Sequence, residues 1–329
     1  MKPIIHAVPR EDLEKELTED KFIRITNKSE NELYIITAHD SPNVMREIGR
    51  LRELTFRAAG GGTGLDLDID ANDTAENPYL QLIVWDPDTE EILGGYRYLI
   101  CKKPDGTTIS PDELASTHLY NFSEKFISEY LPHTIELGRA FVQPAYQSTS
   151  PHSKGLFALD NLWDGLGALV IDNPNMKYFF GKVTMFPNYN QRARNLILFF
   201  MEKHFSDNEN LVVPKEPLDT KMDRDEMEKI FDGNNYMEDY RTLSQKVRAF
   251  GENIPPLINA YMNLSPSLKT FGTVLNPSFG NVEETAMMII INDLYKQKVE
   301  RHVASYFPES RYQIFRLINR IRYLRRKKK

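Results

Sequence analysis

The chain has 329 residues, of which 41% are hydrophobic and 11% aromatic, enough to bury a large core and to fold along most of its length. Its single cysteine, Cys101, excludes an internal disulfide and fits a reducing compartment. A net charge of −6 hides an asymmetry: residues 311–329 carry nine basic and no acidic side chains, which leaves 32 basic against 47 acidic in the body, a net of −15 there.

In chain order, the first six residues, Met1 to His6, lack the apolar run of a secretory signal, and the longest apolar stretches, such as 286–291, fall far short of the roughly 20 residues a spanning helix needs. A cytoplasmic protein is expected, either free or resting on the inner face of the cell membrane. Residues 1–30 read as an extension, and 31–38 as a strand. In 45–57, Ile48, Leu51 and Phe56 fall roughly on one helical face, and a glycine turn follows at Gly60, Gly61, Gly62 and Gly64. Two strand-like runs, 81–86 and 91–100, are separated by DPDTE, a strong hairpin signal. A strand over 134–142, a buried helix over 156–171, a strand over 177–185 and a helix over 191–204 come next. The polar stretch 206–240 reads as an excursion from the core, 282–291 as a late buried strand, and 296–329 as a tail. Hairpins and crossovers together predict an α/β fold on one mixed sheet, a single domain spanning 31–295.

Several chemistries lose support. The glycines at 60–64 precede no Gly-Lys-Ser/Thr and miss the dinucleotide fingerprint. Asp66, Asp68 and Asp70 open like a calcium loop, but Ala71 stands at the required glycine and Asn77 at the final ligand. The seven histidines are scattered, no metal site is expected, and no Gly-x-Ser-x-Gly elbow exists. What remains is direct group transfer by positioning, acid–base help and electrostatics.

Charged residues sit where a plain core strand would not place them. Glu136 and Arg139 lie three apart on one strand, on opposite faces unless a bulge intervenes, and Gly138 between them is a natural bulge site. Arg97 lies in the hairpin, Arg52 and Phe56 share a helix face, and Asp70 and Asp73 follow the glycine turn. A structural ion pair, loop capping by Asp70 and Asp73, and plain packing of the aromatics are the competing readings.

RLRELTF, the Asp-x-x-Asp pair, LGGYRYL and ELGRAFV occur here in an order similar to acyl-homoserine-lactone synthases and to bacterial N-acyltransferases of the ornithine-lipid and glycine-lipid type, often labelled hemolysin-like. ELGRAFVQPAYQ, LDNLWDGL, YFFGKVTM and NIPPLINAYMNLSPSLKTFGTVLNPSFG resemble the second group more closely, over about residues 31–293. The resemblance implies the GNAT fold, with a pantetheine thioester held between two splayed strands. It implies transfer of a (3-hydroxy) fatty acyl group from acyl carrier protein, less readily from coenzyme A, to the amine of a small amino acid such as glycine or ornithine. A lactone-type synthase and a non-enzymatic membrane-active protein are the alternatives. Within this frame Glu136 is the expected base and Arg139 its catalytic companion. Arg52, Phe56, Asp70, Asp73, Arg97, Trp85 and Phe141 are expected to bind substrate, with Phe157 beside the acyl channel. Val142, Lys154, Gly155 and Leu156 are expected to meet the pantetheine phosphate. The stretch 146–155 departs from the glycine-rich pyrophosphate loop typical of the superfamily, which favours a carrier-protein donor. Ile314, Leu317, Ile318, Ile321 and Leu324 recur at helical spacing among the arginines of the tail, a basic amphipathic helix suited to an anionic membrane or to acyl carrier protein; nucleic acid is not an expected partner.

Overall fold

The computed structural model describes residues 1–147, 157–233 and 235–326, the last six of them as backbone. Helix α1 (Arg10–Glu16) leads into strands β1 (Phe22–Ile25) and β2 (Glu32–Ile36), helix α2 (Pro42–Ala58), the short α3 (Ala71–Thr74) and the hairpin β3 (Leu80–Asp86) and β4 (Glu91–Ile100). Strands β5 (Tyr120–Phe122) and β6 (Thr134–Val142) precede α4 (Ala158–Asp172), β7 (Tyr178–Met185), α5 (Gln191–Phe205) and β8 (Val212–Pro214). Helices α6 (Arg224–Ile230), α7 (Tyr236–Ala249) and α8 (Pro256–Met262) follow, then β9 (Lys269–Asn276), β10 (Val282–Ile290), the short α9 (Lys296–Lys298) and α10 (Arg311–Arg326).

Eight strands form one sheet in the order β1-β2-β3-β4-β6-β7-β10-β9, while β5 and β8 pair separately. The β6–β7 pair is parallel and every other pair in the large sheet is antiparallel. Alternation divides the core between the faces. Leu82, Val84, Phe179, Val183, Met287 and Ile289 pack with α4, α5 and α7 on one face. Ile83, Trp85 and Phe141 pack with α1 and α2 on the other, continued by Phe180, Ala286 and Met288 against Tyr120 and Phe126.

Three segments depart from the sequence-based expectation. Residues 1–30, expected as an extension, supply α1 and the edge strand β1, with Phe22 fully buried. The excursion over 206–240 contains β8, α6 and the start of α7; Asp223 and Asn235 cap the two helices through the amides of Glu226 and Glu238. Helix α10 does not stand free. Ile314, Phe315 and Ile318 pack against the core, with Phe315 5.2 Å from the Phe22 ring, and Arg316 reaches Glu19 at 2.8 Å. Leu317 of the expected apolar stripe points outward at 59% exposure, and the side chains of Ile321 and Leu324 lie outside the described residues. Among the described residues no helix is long and apolar enough to cross a membrane.

Candidate active site

Strands β6 and β7 pair over Thr134–Leu137 against Tyr178–Gly181 and then part. Beyond the fork β6 stays with β4 as far as Val142–Gly94, while β7 stays with β10 as far as Met185–Glu283. The β7-facing main-chain groups of residues 138–142 therefore lose their strand partner, and such groups need another. The fork is built in by a bulge. Gly95 faces Phe141 and Arg97 faces Gly138, so β6 holds one extra residue across that interval. The extra residue falls at 139–140, just past the expected Gly138, and Arg139 takes the left-handed conformation with φ of 51°. That conformation costs a residue with a Cβ roughly 1–2 kcal/mol.

A cavity of about 990 Å³ runs through the fork. On the α4 face its walls are apolar: Leu159, Leu162, Phe179, Leu257, Met287 and Ile289, with Tyr261 braced edge-on by Trp163. On the opposite face Asp70, Arg97, His118, Glu136, Arg139, Lys182, Asn276 and Glu284 stand among the aromatic rings of Phe56, Phe141, Phe180 and Phe279. One chamber suits a hydrocarbon chain and the other a charged acceptor, with the freed β6 backbone between them.

Arginines and aspartates support the polar wall in a matched cluster. Arg97 lies 2.7 Å from Asp70 and 3.1 Å from Asp73, Arg52 lies 3.2 Å from Asp73, and Arg139 lies 2.8 Å from Asp68 and 3.8 Å from Asp70. Burial alone would raise the Asp73 pKa; Arg52 and Arg97 override it and hold the carboxyl well below the usual range. The Arg139 guanidinium also stacks over Phe279 at 4.1 Å. Asp70 and Asp73 form a reciprocal capping box on α3 while they bind the arginines. The ion pair expected between Glu136 and Arg139 does not form: Arg139 turns to Asp68 and Asp70, and Glu136 to Tyr79, Ala115 and Ser116.

Glu136 is 2% exposed and borders the cavity, but its oxygens are already engaged. It accepts from the Tyr79 hydroxyl, from the Ala115 amide at 2.9 Å, and from the Ser116 amide at 3.1 Å and hydroxyl at 2.6 Å. To take up a proton it would have to release a donor. These bonds fix the turn that carries His118 to the cavity wall. Burial and the neighbouring Lys182 hold the His118 pKa below its ordinary value, so the ring is neutral near pH 7.

Of the residues expected from sequence, Phe56, Asp70, Arg97, Glu136, Arg139, Phe141 and Val142 converge on the cavity. Arg52 and Asp73 do not reach it; both are fully buried behind Arg97 and Asp70. Trp85 lies outside it as well, because its position on β3 turns it into the core beneath α1, α2 and α10. Phe157 caps α4, with Lys28 over its ring at 6.0 Å, and is not part of the wall. Lys154, Gly155 and Leu156 lie outside the described residues. His118, Lys182, Asn276 and Glu284 join the wall without being expected from the sequence. The available signal was a lone Lys in YFFGKVTM and paired acids in VEETAMMII, charges inside otherwise apolar strands. Among the described residues no group of His, Cys, Asp and Glu is arranged to hold a metal.

Residues 51–153 match the acetyltransferase (GNAT) domain family. A glycine N(alpha)-acyltransferase of Phocaeicola vulgatus is 55% identical over 309 residues, covering 94% of this chain and 95% of the relative. A second protein of the same name, from Bacteroides thetaiotaomicron, is 56% identical over 311 residues, covering 93% and 91%. Among solved structures, a CoA-dependent acyl-homoserine lactone synthase covers 82% of this chain and 86% of its own, at 12% identity and a TM-score of 0.35.

Proposed function

The chain belongs to the glycine N-acyltransferases of the GNAT superfamily, and from that premise we propose that it joins a fatty acyl group, delivered as a pantetheine thioester, to the amine of glycine. The observation that carries this reading is the cavity through the β6–β7 fork, apolar on one face of the sheet and lined by charged and aromatic side chains on the other. The thioester carbonyl sits at the fork, the acyl chain enters the arm beneath α4 and α8, and the amino acid enters from the polar face.

The amine nitrogen attacks the thioester carbon, the C–N bond forms, and collapse of the tetrahedral intermediate expels the thiolate. Backbone N–H groups of residues 138–142, without partners on β7, are the donors for the oxyanion. The attacking ammonium must first lose a proton. His118, neutral and facing the cavity, is the better acceptor for it. Glu136 serves by holding Ala115 and Ser116, and with them His118, in place. Arg139 and Arg97, balanced by Asp68 and Asp70, keep the polar chamber charged and open.

The proposed donor is acyl carrier protein. Helix α10 spends Ile314, Phe315 and Ile318 on the protein's own core and turns Arg316 and Arg320 outward, which supports an electrostatic partner over insertion into a lipid surface. In the direct test, purified protein is incubated with glycine and either acyl carrier protein or coenzyme A thioesters, and products are read by mass spectrometry. N-acylglycine is expected; its absence with every donor would overturn the reading.

A further inference from the structure

Lys182 and Glu284 form an ion pair of 2.9 Å in the wall of the polar chamber. Both break an apolar pattern. Lys182 follows Phe180 on its face of β7, and Glu284 precedes Ala286 and Met288 on the same face of β10. Their side chains are only 15% and 5% exposed, and withdrawing two charges from water is costly unless something is gained. Asn276 donates to the Glu284 carboxylate at 3.0 Å and is itself contacted by the Ser278 hydroxyl, so the acid is held firmly.

Lys182 is the residue after Gly181, where β6 and β7 last touch, so its ammonium sits at the fork. An α-amino acid is a zwitterion with a cation and an anion on adjacent carbons. A fixed Lys–Glu pair at a cavity wall presents the opposite pattern at similar spacing. We propose that Lys182 and Glu284 are the acceptor subsite, Lys182 taking the carboxylate of a free α-amino acid and Glu284 its ammonium, which sets the amine beside the thioester. This rests on the acyltransferase reading above. It goes further by naming the residues that read the acceptor as a zwitterion: an amine lacking the carboxylate draws on Glu284 and offers Lys182 nothing in return, and a polycation confronts Lys182 directly. Burial acts to raise the Glu284 pKa, but Lys182 and Asn276 outweigh it and hold the group below its ordinary value, so it is charged and suited to bind the ammonium rather than deprotonate it.

The test compares wild type, Lys182→Met and Glu284→Gln with a fixed acyl thioester and three acceptors: glycine, glycinamide and methylamine. Wild type should prefer glycine. Losing one partner of a buried charge pair should raise the glycine KM roughly 30-fold or more, from about 2 kcal/mol. The donor KM should stay unchanged, which reports a folded enzyme. Lys182→Met should also bring glycine and glycinamide to similar kcat/KM, a change a merely structural ion pair would not produce. If wild type acylates glycine but Lys182→Met keeps both its glycine KM and its preference over glycinamide, the subsite is overturned. If wild type makes no product, the acyltransferase reading itself has failed.

Discussion

A Cβ on Gly181 would lie 2.7 Å from the carbonyl oxygen of Leu137, closer than a carbon and a carbonyl oxygen tolerate. This is the last contact between β6 and β7 before they part. Gly181→Ala should push the strands apart below the fork or lengthen the final ladder bonds. A loss of about 1–3 kcal/mol is expected, read as a lower urea midpoint, and kcat should fall more than the donor KM changes, because the oxyanion donors move. A variant with wild-type kcat and stability would mean the contact does not set the fork.

The buried Arg52–Asp73–Arg97 arrangement predicts a pH effect on stability. The folded state holds the Asp73 carboxyl below its unfolded value of about 4, so its contribution is present at neutral pH and is lost as pH falls through the depressed native value. Asp73→Asn leaves Arg52 and Arg97 undercompensated and should cost about 3–5 kcal/mol at pH 7. Its stability should then decline less than that of wild type as pH falls from 5, as chemical denaturation across pH would show.

How much of this could be read in advance depended on range. The hairpin over 80–100 was legible because DPDTE lies between two apolar runs, and α2 because Ile48, Leu51 and Phe56 repeat on one face. Strand β9 is not legible in the sequence, because Gly272, at φ of 84°, and a register irregularity opposite 285–287 break its alternation. Helix α6 and the first turn of α7 read as a polar excursion over 206–240 because Met227 is the one apolar side chain α6 buries and Asp239 the residue that first turn buries. The site divided in the same way. The residues of ELGR and the Asp-x-x-Asp pair are close in sequence and could be grouped. His118, Lys182 and Glu284 meet only through the sheet order β6-β7-β10, which no local pattern encodes. The bulge was expected at Gly138, yet Gly138 keeps its place opposite Arg97 and Arg139 absorbs the turn.

His118 and Glu136 should be separable by pH. With His118 as proton acceptor, kcat/KM for glycine should fall in acid through a value below the ordinary imidazole pKa of about 6.5, because burial first, then Lys182 and Arg139, lower it against the opposing pull of Glu284. His118→Gln should lower the rate roughly 10²–10⁴-fold and erase that limb. Glu136→Gln keeps the shape but loses charge-assisted bonds to Ala115 and Ser116, so it should lower kcat while the limb persists. A limb that vanishes in Glu136→Gln and survives in His118→Gln would reverse the two roles.

The apolar arm should act as a ruler. Leu162 on α4 and Met287 on β10 both face it from opposite walls. Leu162→Trp adds bulk where the acyl chain would run, without touching the polar chamber. Across a series of saturated acyl donors, the optimum should move to shorter chains, while the glycine KM is unchanged. An unaltered chain-length profile would place the acyl group elsewhere.

Reversing the charge on α10 should tell an acyl carrier protein from an anionic membrane as its partner. Arg316 pairs with Glu19 but is 77% exposed, and Arg320 is exposed one turn further on, so reversing both spares the Phe315–Phe22 contact. Exposed charges act mainly on encounter and are screened by salt. Arg316→Glu with Arg320→Glu should therefore raise the KM for an acyl carrier protein donor, more at low than at high ionic strength, and leave that for a short acyl-pantetheine unchanged. Flotation with vesicles rich in anionic lipid provides the second arm. Binding by wild type that the reversal abolishes, with no change in the carrier-protein KM, would assign the helix to the membrane instead.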